Sequence, residues 1–157
     1  MKKILDICEY IQLRIAALFL FVFIVCIILQ VLTRYVPGFS LPWTEEIANY
    51  SFIWSMLLGA AVMVKEKAHY NMEIISEKLT GRVGTANKIF VHALVAVFGA
   101  VVAYYGVELT GQFWNWSVNS LPILSQRYVW MVLPVTGFTM CLYSIGNIWG
   151  EIANPEK

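Results

Sequence analysis

Cysteine and histidine, the residue types that most often carry redox, metal or nucleophilic chemistry, are few and widely separated in this chain. Cys8, Cys26 and Cys141 form no C-x-x-C pair, so the sequence contains no redox or zinc motif. His92 lies in an apolar run without a second ligand nearby in sequence, which favours neither a metal site nor a haem site. No residue pattern resembles a nucleophile with its base. The sequence therefore predicts a protein that is not an enzyme and that binds no cofactor of its own.

Composition indicates the environment in which such a chain folds. Of the 157 residues, 59% are hydrophobic and 13% are charged, against roughly 45–50% and about 25% in an ordinary soluble domain. Because so few charged residues are available to cover a surface, a soluble globular fold is excluded. The formal net charge of +1 provides no basic stripe for a phosphate backbone, so we expect no nucleic-acid partner.

Four stretches have uncharged cores long enough to cross a bilayer as helices, which takes about 18–20 residues. The predicted spans are 12–35, 43–65, 86–112 and 127–150. A fifth uncharged stretch, 109–126, is rich in Asn, Ser, Gln and Pro, and we expect a polar loop or an extension of the third helix there. The predicted fold class is an all-α integral membrane protein with four transmembrane helices in contact with lipid, and residues 1–157 form a single membrane domain.

The positions of lysine and arginine predict the orientation of these helices. Nine of the 11 basic residues lie in the N-terminal segment, the 65–88 connection or the C-terminal segment, and only Arg34 and Arg127 lie in the other two connections. Short basic connections are retained in the cytoplasm. Both termini are therefore predicted to be inside.

The 65–88 connection also carries a helical pattern. Met72, Ile75 and Leu79 repeat at i, i+3 and i+7, which is typical of one apolar helix face. We expect a short amphipathic helix lying in the inner headgroup layer; a solvated loop is the alternative.

A polar cluster closes the first predicted span and opens the second. Its members are Gln30, Arg34, Tyr35, Trp43, Glu45 and Glu46. Two carboxylates in a first helical turn lie near the positive end of the helix dipole, and a connection of this length lets Arg34 reach one of them. The cluster is expected either to fix the hairpin through an ion pair or to contact a partner protein, and the sequence leaves both possibilities open.

Small residues recur on one face of two predicted spans. Ser51, Ser55 and Gly59 recur every four residues in the second span, and Gly99 and Ala103 belong to a similar stripe in the third. Small side chains let helices approach closely where lipid provides no hydrophobic driving force. We therefore expect these five residues at helix contacts, either within the chain or with a partner.

Three motifs occur in order along the first half of the chain: Gln30-x3-Arg34-Tyr35, Trp43-x-Glu45-Glu46 and Leu58-Gly59-Ala60-Ala61. Together with the four predicted helices, they resemble the small (DctQ-like) membrane subunit of tripartite ATP-independent periplasmic (TRAP) transporters. The resemblance spans nearly the whole chain and is most specific in these motifs.

The resemblance implies a non-catalytic subunit of a sodium-coupled secondary transporter in the bacterial inner membrane. A large polytopic membrane subunit would bind sodium and carry an organic acid, such as sialic acid or a C4-dicarboxylate, which a periplasmic substrate-binding protein delivers. The small subunit would brace the large one and help dock the binding protein. The expected outer docking loop contains Asn119, Ser120, Gln126 and Arg127.

An independent four-helix membrane scaffold and an oligomeric channel are the alternatives. A channel needs a regular polar stripe along a pore, whereas the spans are expected to carry no polar site apart from His92. A self-sufficient carrier would also need broken helices and an inverted repeat. These features favour a scaffold that works with a partner.

Overall fold

The computed structural model describes residues 2–35, 41–66 and 82–153. Its helices are α1 (Lys2–Thr33), α2 (Trp43–Lys65), α3 (Arg82–Gln112), α4 (Gln126–Trp130) and α5 (Val132–Ala153). Four segments are long and apolar enough to cross a membrane: Leu5–Thr33, Trp43–Lys65, Gly84–Gln112 and Gln126–Ile152. The last of these contains both α4 and α5, which are separated by Met131. The prediction of an all-α protein with four membrane-spanning helices is confirmed.

We name the two ends of the molecule the hairpin end, after the hairpin formed by residues 113–125, and the Lys65 end. At the hairpin end, α1 and α3 end, α2 begins, and the segment 113–125 leads into α4. At the Lys65 end, α1 and α3 begin, and α2 and α5 end. Which end faces the cytoplasm stays a prediction. The expected amphipathic helix of Met72, Ile75 and Leu79 lies outside the described residues.

The charges at the ends of α2 match the helix dipole. Glu45 and Glu46 lie in its first turn and Lys65 lies in its last, where negative and positive charges respectively are stabilising. Pro42 precedes the helix with φ at −61°, an angle that its ring imposes and that a helix start accepts. The Thr44 hydroxyl donates a hydrogen bond to the Leu41 carbonyl at 2.7 Å.

The long helices pack as a row in the order α1, α2, α5 and α3. Each inner helix has a long helix on both sides, whereas α1 and α3 lie at opposite edges. Burial follows this order, since 33% and 39% of the residues are buried in the second and fourth spans but only 11% and 17% in the first and third. Two long apolar helix faces are therefore left uncovered by the residues that the structure describes.

Aromatic and small apolar side chains join α1 to α2. The rings of Phe19 and Trp54 have centroids 5.1 Å apart, within the range in which tilted aromatic rings attract one another. Phe23 and Phe52 form a second such pair at 5.2 Å. Toward the Lys65 end, Ala16 packs with Leu58 in a buried cluster that also contains Val132 of α5. The contact between α1 and α2 is therefore continuous with α5.

Glycine and alanine bring α3 and α5 into backbone contact. A Cβ atom added at Gly137 would lie 2.5 Å from the carbonyl oxygen of Gly99 and 2.8 Å from the Cα of Ala103. A Cβ atom at Gly106 would lie 2.7 Å from the backbone nitrogen of Pro134. These distances are too short for any side chain, so the α3–α5 crossing requires glycine here.

Alanine at Gly137 is expected to lower the free energy of unfolding by about 1–3 kcal/mol, the usual cost of overpacking a closely packed contact. Gly150→Ala is the matched control, because it lies on the same helix and its added Cβ would meet nothing within 4 Å. Thermal unfolding in mild detergent, followed by circular dichroism, would measure both variants. Equal midpoints for Gly137→Ala and Gly150→Ala would contradict the close crossing.

Candidate partner-binding surfaces and the polar contacts that shape them

A buried polar network joins three helices within the membrane-spanning part of the chain. Gln12 of α1 is 5% exposed, and its amide nitrogen donates to the Leu58 carbonyl of α2 at 3.2 Å and lies 3.3 Å from the Thr139 hydroxyl of α5. The Tyr143 hydroxyl donates to the Gln12 amide oxygen at 2.9 Å. The Gln12 side chain therefore connects α1 with both α2 and α5.

This network corrects the expectation that the spans carry no polar site apart from His92. Gln12 lies seven residues inside the first span, about 10 Å along the helix axis, where an unpaired amide would be costly. Its hydrogen bonds are made to helices of the same chain and not toward an aqueous pore. The sequence contained one signal, since Thr139, Tyr143 and Asn147 recur every four residues on α5.

Charged and polar side chains also fasten the Lys65 end. The Lys65 ammonium, whose side chain is 16% exposed, pairs with Asp6 at 2.5 Å and with Glu9, so α2 is tied to α1. The Asn147 amide donates to the Val64 carbonyl at 2.9 Å and ties α5 to α2. A partly buried pair is worth more than a fully exposed one only where its geometry offsets desolvation. Sequence reasoning used Lys65 for orientation alone and missed its contact with Asp6 and Glu9.

The segment 113–125 forms a compact hairpin at the hairpin end. The Val118 amide donates to the Leu124 carbonyl at 2.9 Å, and the Gln126 amide donates to the Trp116 carbonyl at 2.8 Å. Val118 is fully buried. The amide of Ser120 donates to the Glu46 carboxylate at 3.0 Å, which attaches the hairpin to the first turn of α2.

The ion pair expected between Arg34 and a glutamate is not formed among the described residues. Arg34 is exposed just beyond the end of α1, while Glu46 faces the hairpin and accepts the Ser120 amide. Glu45 is exposed. Glu46, one of the two carboxylates within reach of Arg34 in the sequence, therefore contacts the segment 113–125, across 74 residues that sequence spacing does not reveal.

The other members of the predicted polar cluster lie around this end without meeting at one point. Tyr35 is 80% exposed, whereas Gln30 and Trp43 are half-buried. The Gln30 carbonyl accepts a hydrogen bond from Thr33 at 2.9 Å. Partner contact by this cluster stays a prediction.

Three of the four residues in the predicted docking loop stabilise the hairpin or the helix that follows it. Ser120 donates its amide to Glu46, and the Gln126 side chain donates to the Ser117 carbonyl at 3.3 Å. The Arg127 guanidinium lies 5.0 Å from the Trp114 ring and 4.8 Å from the Tyr128 ring. Asn119 is exposed, so it is the member of the set that is most accessible to a partner.

The predicted helix-packing residues divide into two groups. Gly99 and Ala103 lie at the α3–α5 crossing. Ser51 is buried and Ser55 is half-buried on α2. A Cβ atom added at Gly59 would meet nothing within 4 Å, so Gly59 is not at a close helix contact with the described part of this chain.

The two edge helices present the largest apolar surfaces. On α1 these include Leu18, Phe21 and Ile28, and on α3 they include Val97 and Tyr104, all more than half exposed. Such faces suit lipid or the apolar helices of another membrane protein. In residues 2–35, 41–66 and 82–153, no group of three or more His, Cys, Asp or Glu side chains could hold a metal ion.

A four-span membrane protein with polar contacts between its helices and two open edge faces is the class that the fold defines. The family described as "Tripartite ATP-independent periplasmic transporters, DctQ component" matches residues 15–154. The chain belongs to this family of small TRAP transporter permease subunits, which confirms the resemblance found in the sequence. It is a multi-pass membrane protein of a transport family.

Three similar proteins are described as TRAP transporter permeases. The sialic acid TRAP transporter permease protein SiaT of Haemophilus influenzae is 26% identical over 114 residues, covering 73% of this chain and 18% of that protein. The isethionate TRAP transporter permease protein DctMQ of Oleidesulfovibrio alaskensis is 25% identical over 111 residues, covering 70% and 18% respectively. The sialic acid TRAP transporter small permease protein SiaQ of Vibrio cholerae is 26% identical over 105 residues, covering 60% of this chain and 61% of SiaQ. The chain thus spans less than a fifth of the first two relatives.

Replacement of Gln12 by leucine is expected to lower the free energy of unfolding by about 1–3 kcal/mol, because the buried Tyr143 hydroxyl loses its acceptor. Combining Gln12→Leu with Tyr143→Phe removes both partners. The loss of unfolding free energy in the double variant should therefore be smaller than the sum of the losses in the two single variants. The expected coupling is about 0.6–1.7 kcal/mol, the range for such bonds in membranes. Gln112→Leu, at an exposed glutamine of α3, is the control. Additive losses in thermal unfolding would contradict the network.

Proposed function

We propose that the chain is the non-catalytic small membrane subunit of a sodium-coupled, binding-protein-dependent secondary transporter for organic acids. Its role is to brace a large transport subunit and to help dock a periplasmic substrate-binding protein. The family match over residues 15–154 carries this proposal. The proposed location is the bacterial inner membrane with both termini in the cytoplasm, which the distribution of basic residues supports.

The helix contacts support a bracing role. Gln12 fixes α1 to α2 and α5 by hydrogen bonds, and glycine contacts fix α3 to α5. A subunit that moved substrate itself would need helices able to rearrange around a central binding site. Here hydrogen bonds and small apolar contacts join neighbouring helices on their inner faces, so the chain is suited to remain still while a partner moves.

The open edges of the row support a membrane partner. Both α1 and α3 expose long apolar faces. Most of the length of SiaT and of DctMQ lies outside the region similar to this chain. We infer a large membrane subunit, separate or fused, as the protein that packs on one of these faces and that binds sodium.

The names of the relatives support an anionic organic substrate. SiaT and SiaQ are named for sialic acid and DctMQ for isethionate. All three names denote acids, so a carboxylate or sulfonate substrate is proposed for the complete transporter, with C4-dicarboxylates in the same chemical range. We assign the contacts that choose among these acids to the other components, since this chain is proposed to act through its surfaces.

The hairpin of residues 113–125 is proposed to contact the binding protein, and Glu46 determines where it sits. Glu46→Ala removes the acceptor of the Ser120 amide and is expected to lower uptake by the complete three-component system about fivefold, corresponding to loss of about 1 kcal/mol. Glu66→Ala, at an exposed carboxylate just beyond the other end of α2, should leave uptake unchanged. Uptake of labelled sialic acid, isethionate and succinate would be measured in cells expressing all three components.

Assembly is measured in parallel by copurification in mild detergent, where a one-to-one complex with the large subunit is expected for all variants. Unchanged uptake in Glu46→Ala would show that the hairpin position does not matter for docking. Transport of an organic acid down a sodium gradient by this chain alone in liposomes would contradict the proposed function itself.

A further inference from the structure

An apolar cavity of about 470 Å³ lies at the hairpin end, between α1, α2 and the start of α4. Phe19, Ile47 and Trp54 line it together with residues at the end of the hairpin and in α4, including Tyr128. Its size falls in the range of ligand cavities in proteins, about 300–1,000 Å³. The Phe19–Trp54 ring contact between α1 and α2 borders this space.

The length of the cavity along α2 is comparable with the thickness of one leaflet. Its α2 lining runs from Ile47 to Trp54, a rise of about 10 Å along the helix. Half of the hydrocarbon core of a bilayer is about 15 Å thick. An acyl chain entering from the headgroup level of this leaflet would therefore find an apolar slot along most of its length.

A guanidinium group without a carboxylate partner lies beside the cavity. Arg127 is positioned 4.8 Å from the ring of Tyr128, and that ring also lines the cavity. Of the five N–H donors of an arginine, one reaches the Tyr128 hydroxyl at 3.1 Å, and the buried Nε has no hydrogen-bond partner. Among the described residues, no carboxylate lies within the 4.0 Å of an ion pair with Arg127.

We propose that this cavity and Arg127 form a binding site for one phospholipid of the leaflet at the hairpin end, with an acyl chain in the cavity and the phosphate on the guanidinium. A phosphate supplies two negatively charged oxygens that can accept both hydrogen bonds of the planar arginine fork. The exposed Trp114 and Trp116 belong to residue types that lie at headgroup level. Charge complementarity and depth together favour a lipid over an apolar side chain of a partner, which would leave Arg127 uncompensated. The inference does not depend on the proposed transport function.

Native mass spectrometry of the full chain, purified in mild detergent and titrated with palmitoyl-oleoyl phosphatidylglycerol, tests the proposal. The expected result is one tightly retained lipid per chain. Arg127→Gln removes the charged fork, and Ser51→Leu places a larger side chain in the cavity that Ser51 lines. Each variant is expected to weaken retention about tenfold.

Arg14→Gln is the matched control. The Arg14 guanidinium also lies 4.8 Å from a tyrosine ring, that of Tyr10, but Arg14 does not line this cavity, so its replacement should leave retention unchanged. Circular dichroism and thermal unfolding show whether each variant is folded. If Ser51→Leu reduces the folded fraction, Ile47→Trp fills the same cavity from the preceding helical turn.

Titration with inorganic phosphate separates a headgroup contact from a lipid site. Weak or undetectable phosphate binding, together with loss of lipid in both the Arg127 and the cavity variants, supports the proposal. Retention that depends on Arg127 but not on the cavity variants would show a headgroup contact alone and overturn it. Equal retention in Arg127→Gln and Arg14→Gln would overturn it as well.

Discussion

The hydrogen bonds of Gln12 are the contact on which the arrangement of helices depends. A glutamine side chain has both donors and an acceptor, and in hydrocarbon each of them needs a partner. Leu58 of α2 and Tyr143 of α5 provide partners from two different helices. Because these partners are positioned by their own helices, α1 can satisfy Gln12 in one position only. The polar residue therefore fixes the rotation and depth of a helix whose apolar face alone would leave both undetermined.

The helices form a row, held by contacts between neighbouring helices, and not a closed bundle. The polar network and the Lys65 ion pairs act on the α1 side, while glycine-mediated backbone contact acts on the α3 side. Since the row does not close on itself, α1 and α3 each keep an apolar face directed away from the chain. A small subunit of a transport family that is fixed internally and open at its edges is suited to hold a larger membrane protein in place. The helices themselves need not move for this role.

The sequence predicted the features that depend on composition and on short spacing. Four membrane spans follow from hydropathy, and the family follows from motifs in the first half of the chain. The burial of Gln12 could not be predicted in the same way, because its partner Tyr143 is 131 residues away and glutamine near a span boundary is ordinarily solvated. An ion pair of Arg34 with Glu45 or Glu46, one of the two roles that the sequence left open, is not formed among the described residues. The contact that Glu46 makes with the Ser120 amide joins residues 74 positions apart, and sequence spacing does not reveal it.

Under the proposed function, the helix row keeps its shape while a partner transports substrate. Spin labels at cysteines replacing Ile7 on α1 and Phe90 on α3, both exposed residues on the edge helices, would report the width of the row in a background lacking the three native cysteines. Pulsed electron paramagnetic resonance would measure the distance in the assembled transporter, in labelled complexes that retain uptake, with and without sodium and substrate. We expect one distance distribution whose mean is unchanged by these additions. A shift of about 5 Å, one helical turn, or a second population that appears with sodium and substrate, would contradict the claim of a static subunit.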